Sequence, residues 1–240
     1  MKVLGIIPAR YDSSRFPGKP LIDLKGKTMI QRVYEGALNA QKIDTLVVAT
    51  DDARIETEVL RFGGKVLMTS SVHQSGTDRC AEVLANYPGY DVVINIQGDE
   101  PLVSAQQLDS LLEAFQDSSV QIATLVNSQV SSEDLENPNR IKVLENAKHS
   151  AIYFSRSPLP NMHYAKETSF PWLRHIGLYA YRSDILIELS QLTPCLLEQA
   201  ESLEQLRWLY YGYPIRLVST SIETPNIDVP ADVQKVLPFL

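Results

Sequence analysis

The chain has 240 residues, of which 44% are hydrophobic and 21% charged, with a formal net charge of −7; this is the balance of an ordinary globular protein. Such acidity argues against broad nucleic-acid binding, so any anion site must be a local concentration of cations. No apolar stretch approaches the roughly 20 residues needed to span a bilayer, so no membrane insertion is expected.

The first apolar run, residues 3–7, is short, rich in β-branched residues and broken by Pro8, which reads as a buried strand. Met1-Lys2 enters it directly, with no room for a signal peptide, so a cytoplasmic location is expected. Further strands are expected at 45–50, 65–68, 92–96 and 121–126, with helical patterns between them at about 28–41, 52–62, 77–86 and 104–115. Alternation of this kind implies an α/β fold, a parallel sheet with helices on both faces. Asp51 or Asp52 is placed to cap the second helix and Gly63-Gly64 to end it. After residue 127 the rhythm changes. A polar connection at 128–140 leads to strands at 141–144 and 151–154, then a loop with Pro158, Pro160 and Pro171. A strand at 174–181, a long helix at about 196–211, a strand at 215–219 and a last helix beginning near Pro230 complete the chain. Cys80 and Cys195 lack metal-ligand spacing and read as small buried residues of a reducing compartment. One domain over 1–240 is expected, with a mixed region inserted or appended.

Five constellations carry chemistry. After the first strand, Arg10, Arg15 and Lys19 lie in a loop where open α/β sheets bind ligands. The loop lacks both the Walker and the dinucleotide glycine patterns, so phosphates there would be gripped by side chains: arginine as a planar fork, lysine as a point charge. A solvated basic turn is the bland alternative. Gln97-Gly98-Asp99-Glu100-Pro101 follows a strand and puts Asp99 at the same sheet edge, as a Mg²⁺ ligand or as part of a turn. Asp228, in Asn226-Ile227-Asp228-Val229-Pro230, fits either a helix cap or a second metal ligand. Ser75-Gly76-Thr77-Asp78-Arg79 offers a helix N-terminus to a ligand, or is a plain cap. Downstream, strand alternation puts His175, Gly177, Tyr179 and Tyr181 on one face, which suits a sugar-sized pocket or open solvent. Ser155-Arg156-Ser157-Pro158 stands upstream of that strand. Glu201, Glu204, Gln205 and Arg207 read on their own as a solvated helix stripe.

In combination and order these segments closely resemble the 3-deoxy-D-manno-octulosonate cytidylyltransferases. The likeness runs from Ile7-Pro8-Ala9-Arg10-Tyr11 and Ser14-Arg15-Phe16-Pro17-Gly18-Lys19-Pro20-Leu21 through Ala49-Thr50-Asp51-Asp52, Ser75–Arg79 and Gln97–Pro101. It continues with Tyr153-Phe154-Ser155-Arg156 and His175-Ile176-Gly177-Leu178-Tyr179-Ala180-Tyr181, and closes at Glu201-Ser202-Leu203-Glu204-Gln205-Leu206-Arg207. The resemblance implies a Rossmann-like three-layer nucleotide-diphospho-sugar transferase fold with a mainly parallel sheet. Its nucleotide-binding part would span about 1–127, and a sugar-binding and dimerisation part about 128–220, in a homodimer. It implies transfer of a cytidylyl group from CTP to 3-deoxy-D-manno-octulosonate (Kdo), with release of pyrophosphate, for lipopolysaccharide assembly.

By the same resemblance Pro8, Ala9, Arg10, Arg15 and Lys19 would hold the nucleotide, chiefly its triphosphate. Ser75, Gly76 and Arg79 would surround the cytidine, with Gln97 near the sugar. Arg156, His175, Tyr179, Glu204 and Gln205 would contact the sugar acid. Asp99 and Asp228 would bind Mg²⁺ and, with Arg10 and Lys19, carry the catalysis. Val229 stands where the family more often has Thr. A related cytidylyltransferase for sialic acid or for the 8-amino analogue of Kdo is the nearest alternative, and a non-catalytic CTP-binding protein a more distant one. Trp172, Trp208, Tyr210 and Tyr211 are candidates for a dimer interface or for the core.

Overall fold

The computed structural model describes residues 1–12, 16–164 and 170–240. Strand β1 (Val3–Ala9) is buried along almost its whole length, as a central parallel strand covered on both faces must be. It pairs in parallel with β2 (Thr45–Thr50) and β4 (Val92–Asn95), and β2 with β3 (Val66–Met68). On the other side of β4 lie β8 (Leu173–Arg182), β5 (Ile122–Asn127) and β9 (Ile215–Thr220), so the sheet runs β3-β2-β1-β4-β8-β5-β9. Only β8 runs against its neighbours on this path, antiparallel to β4 and β5. A side ribbon of β6 (Lys142–Glu145) and β7 (Ala151–Ser155) joins through β6 to β8. The α/β class and the mainly parallel sheet thus match the expectation.

Helices form where caps and periodicity converge. Thr28 caps α1 (Met29–Ala37), Ser104 caps α4 (Ala105–Glu113), and Asp52 rather than Asp51 caps α2 (Ala53–Arg61) by accepting from Arg54 N at 2.9 Å. In α3 (Gly76–Asn86) Ser75 and Asp78 form a reciprocal capping box. Residues 128–140, expected as a bare connection, contain the short helix α5 (Ser132–Glu136), and β8 passes directly into α6 (Ser183–Ser190). The long helix expected at 196–211 is broken in two, α7 (Leu196–Glu201) and α8 (Gln205–Tyr210). Ser202 between them is left-handed, φ 52°, which a continuous α-helix cannot contain. The expected last helix is a single 3₁₀ turn at Pro230–Asp232 followed by α9 (Val233–Val236).

Two apolar layers sandwich the sheet. Ile30, Val33, Ile55, Leu108 and Leu111 from α1, α2 and α4 pack on Ile7 and Ile94. On the opposite face Val83, Leu186, Leu206 and Trp208 pack on Leu4, Ile6 and Val93. Cys80 and Cys195 are both buried free thiols. Trp208, at 1% exposure, belongs to the core, whereas Tyr210 and Tyr211 are exposed. A small third cluster, with Leu24 and Met29 against Ile227 and Val236, pins the C-terminal segment beside the end of β1. The loops leaving β1, β2, β3 and β4 therefore share one edge of the sheet with that segment. Among the described residues no helix is long and apolar enough to cross a membrane.

Candidate active site

The loop after β1 is closed at its neck. Gly18 N donates to Tyr11 O at 2.9 Å, and Gly18 sits at φ 72°, in the region open to glycine, with the Tyr11 ring against it. Arg10 and Lys19 flank this neck; Arg10 is exposed, and Arg15 lies outside the described residues. Lys19 opens a 3₁₀ turn, and its Nζ donates to Asp99 Oδ2 at 2.7 Å and to Ile227 O at 3.0 Å. Ile227 N in turn donates to Asp99 O at 3.0 Å. Three stretches far apart in sequence, each singled out above, thus meet at one point.

Close approach explains Gly98. A Cβ there would stand 2.7 Å from Pro8 O, so only glycine lets the β4 loop lie against the end of β1. Asp99 and Asp228 therefore come from adjoining segments, with Asn226 Nδ2 donating to Asp228 Oδ2 at 2.9 Å. Burial, and Asp99 beside it, push the Glu100 carboxyl up to about 8, which leaves it mostly protonated at neutral pH. Among the described residues no three His, Cys, Asp or Glu side chains gather to hold a metal. Two hard carboxylates beside a cationic loop have the chemistry that suits Mg²⁺, which keeps few protein ligands and completes its shell with phosphate and water.

The α3 N-terminus forms one wall. Ser75 caps the helix, accepting from Asp78 N at 3.1 Å, and its side chain also bonds Glu204, while Gly76 lies near Asn95 and Pro8 and faces the cleft. Arg79 is 1% exposed, with Nη2 on Asp51 Oδ2 at 2.9 Å and Nη1 on Thr69 Oγ1. It ties the ends of β2 and β3 together and does not line the cleft.

Beyond Pro8 and Gly76 the cleft opens into a cavity of about 380 Å³, lined among others by Gln97, His175, Tyr179, Glu204 and Gln205. Gln97 Nε2 donates to Gly177 O at 2.9 Å, across a bulge where β8 carries two residues unmatched by β5. His175 and Tyr179 do share a face, with ring centroids 5.3 Å apart, and Tyr179 stacks on Tyr181 at 6.1 Å. Trp208 meets both tyrosines edge-on. Burial, with the Arg174 charge behind it, pushes His175 down to about 3, so the ring is neutral. Thr124 Oγ1 donates to a carbonyl of Ile176 or Leu178, which leaves it to accept from His175 Nε2 at 3.0 Å. This network assigns the Nε2–H tautomer, with Nδ1 an acceptor.

The break at Ser202 puts Glu204 and Gln205 at the cavity wall. Glu204 accepts from Thr77 Oγ1 at 2.9 Å, and burial pushes its carboxyl up. Arg156 stands behind that turn and does not line the cavity. Its guanidinium donates to Glu201 O at 2.6 Å, Pro138 O at 2.9 Å and Ser202 O at 3.2 Å.

Among the described residues, buried polar side-chain atoms without a partner occur on Asn95, Arg174, Tyr179, Tyr181, Ser183, Trp208 and Arg216. All but Ser183 and Arg216 belong to cavity-lining residues. Orphaned polar atoms cost about 1–3 kcal/mol each, and most of them sit on residues that line this cavity. Sequence reasoning passed over Asn95, Arg174 and Glu223, which line this cavity. The one signal for Arg174 was its place as the first charge of the strand, beside His175.

A cytidylyltransferase family model matches residues 4–220. A 3-deoxy-manno-octulosonate cytidylyltransferase of Parabacteroides distasonis is 52% identical, over 100% of this chain and 98% of its own length. One of Cytophaga hutchinsonii is 50% identical, over 98% and 96%. A solved CMP:2-keto-3-deoxy-manno-octonic acid synthetase complexed with CTP superimposes with a TM-score of 0.94 at 44% identity, covering 100% of this chain and 98% of that one. A 4-diphosphocytidyl-2C-methyl-D-erythritol synthase from Anaerococcus prevotii, covered to 97% with 99% of this chain, has a TM-score of 0.65 at 10% identity and shares the fold alone. The resemblance read from the motifs therefore holds across the whole chain, and the protein belongs to the 3-deoxy-manno-octulosonate cytidylyltransferase family.

Proposed function

We propose that this protein joins the CMP unit of CTP to the anomeric hydroxyl of Kdo and releases pyrophosphate, supplying an activated sugar for lipopolysaccharide assembly in the cytoplasm. The observation that carries this reading is a polar cavity that reaches Pro8 at the end of β1, next to the point where Lys19, Asp99 and Ile227 meet. The sugar oxygen attacks the α-phosphate in line; the new O–P bond forms as the bond to the pyrophosphate oxygen breaks, and the hydroxyl proton is released. Such transfers depend on positioning and on neutralising the phosphate oxygens.

Arg10, Arg15 and Lys19 hold the triphosphate in this reading, with Pro8 and Ala9 shaping the loop's start. Lys19 leaves Asp99 for the phosphates as CTP enters. Asp99 and Asp228 hold Mg²⁺, which supplies charge neutralisation on the phosphate oxygens when bound. Gly76 and the α3 dipole face the nucleotide, while Ser75 and Arg79 set the shape of that wall. His175, Tyr179, Glu204, Gln205 and Gln97 line the sugar's seat, and Arg156 braces the α7–α8 turn. A homodimer, with exposed Tyr210 and Tyr211 as part of its interface, completes the proposal.

The test is incubation with CTP, Mg²⁺ and, in separate reactions, Kdo, its 8-amino analogue or sialic acid, with pyrophosphate release as the readout. Kdo is expected to give the highest kcat/KM. CTP binding without pyrophosphate in any reaction would overturn the activity.

A further inference from the structure

Several arginines in this protein grip a carboxylate with both nitrogens of the same guanidinium edge. Arg54 reaches Asp52 from Nε at 2.9 Å and Nη2 at 2.6 Å, and Arg61 reaches Glu58 from Nε at 2.6 Å and Nη2 at 2.8 Å. Arg207 holds Glu198 with the same pair of atoms. Arg174 departs from this pattern. Its Nη2 meets Glu223 Oε1, but its Nε is buried with no partner. The residue is 6% exposed and lines the cavity.

A buried guanidinium edge used by half is costly unless a ligand completes it. Its present partner is poorly committed: the Glu223 side chain is 49% exposed and also accepts from Asn127 Nδ2 at 2.7 Å. We infer that Arg174 is the receptor for the substrate's carboxylate, and that Glu223 occupies part of that edge until the sugar acid displaces it. The inference rests on the sugar-acid reading above and adds what that reading lacks, the residue that selects an acid over a neutral sugar. Arg156, expected to contact the sugar, has its guanidinium occupied by backbone carbonyls. Arg140, also at the cavity, is 43% exposed and lies 3.5 Å from Asp134; its charge is more accessible to water and less able to discriminate.

The test compares KM for Kdo and for its C1 carboxamide in the wild-type protein, R174Q, R140Q and E223Q, with CTP binding as the check on folding. The wild type is expected to favour the acid by about 100-fold. R174Q should cut that preference below about threefold with CTP affinity unchanged within about threefold, while R140Q keeps the preference. E223Q, which removes a competing carboxylate without touching Arg174, should lower the KM for Kdo several-fold and supports the assignment even if R174Q does not fold. Turnover by R174Q with its acid preference intact, loss of that preference in R140Q instead, or a raised KM in E223Q would each overturn it. Absence of pyrophosphate with the wild-type protein strikes first at the activity itself, a result distinct from any of these.

Discussion

Lys19 Nζ and Asp99 Oδ2 stand 2.7 Å apart across 80 residues of chain, both largely sheltered from solvent. The pair joins the loop after β1 to the loop after β4, and the Ile227 carbonyl bonded to the same ammonium brings in the C-terminal segment. A cation already seated on the carboxylate shows how the site balances charge without ligand. In the proposed function the same lysine exchanges one anion for another when a triphosphate arrives.

From this exchange it follows that Lys19→Ala should lower kcat/KM for CTP by about 100-fold or more, the scale of losing one preorganised charge at a reacting phosphate. Stability should fall by about 1–3 kcal/mol, because removing the ammonium leaves a largely sheltered carboxylate without its partner. Steady-state kinetics beside urea unfolding separates the two effects. A variant that loses several kcal/mol of stability while keeping its kcat/KM would make Lys19 a structural strut.

Asp99→Asn and Asp228→Asn each keep side-chain volume and remove a charged oxygen donor. Each should lower kcat by at least about 100-fold, given that metal charge stabilisation at a transition state amounts to several kcal/mol. Both should also raise the Mg²⁺ concentration needed for half-maximal rate, and a chelator should abolish wild-type turnover reversibly. Near-normal turnover of Asp99→Asn at ordinary Mg²⁺ would sink the metal assignment.

Gly98 sets how closely the two loops approach. In Gly98→Ala the new methyl group meets Pro8 O at 2.7 Å, a backbone atom that cannot swing away. Overpacking of this kind costs about 1–3 kcal/mol and moves Asp99 relative to Lys19. A lowered unfolding midpoint together with a reduced kcat is the expected result. An unchanged midpoint would show that the loops have room to part.

Local signals carried far in this chain. The buried runs of β1 and β2 announced themselves through continuous apolar residues, and the start of α2 through a cap left open between Asp51 and Asp52, so the sheet edge and its loops were legible. Where the reading missed, the cause was tertiary. Leu196–Tyr211 has the periodicity of one helix, but Ser202 turns left-handed there, and that break brings Glu204 and Gln205 to the cavity wall. Arg79 looked like a ligand-binding charge because nothing local says that Asp51 and Thr69 consume it. Arg174 was passed over for the opposite reason. Alternation puts it across the strand from His175, yet both residues line the same cavity, which no local pattern announces.

His175 offers a test of the cavity's burial that needs no substrate. Its folded pKa, pushed down by burial to about 3 from the ordinary 6.5, means that the unfolded chain takes up a proton between those values and the folded chain does not. Stability is therefore complete above about pH 6.5 and declines as pH falls toward 3, the direction set by the greater proton binding of the unfolded state. Between pH 7 and pH 5 the loss from this one group should be about 2 kcal/mol. His175→Gln keeps a donor for Thr124 Oγ1 but does not titrate, so its urea midpoint should fall less over that interval by a corresponding amount. Equal falls in the two proteins would mean that His175 is solvated and that the cavity is wetter than its burial implies.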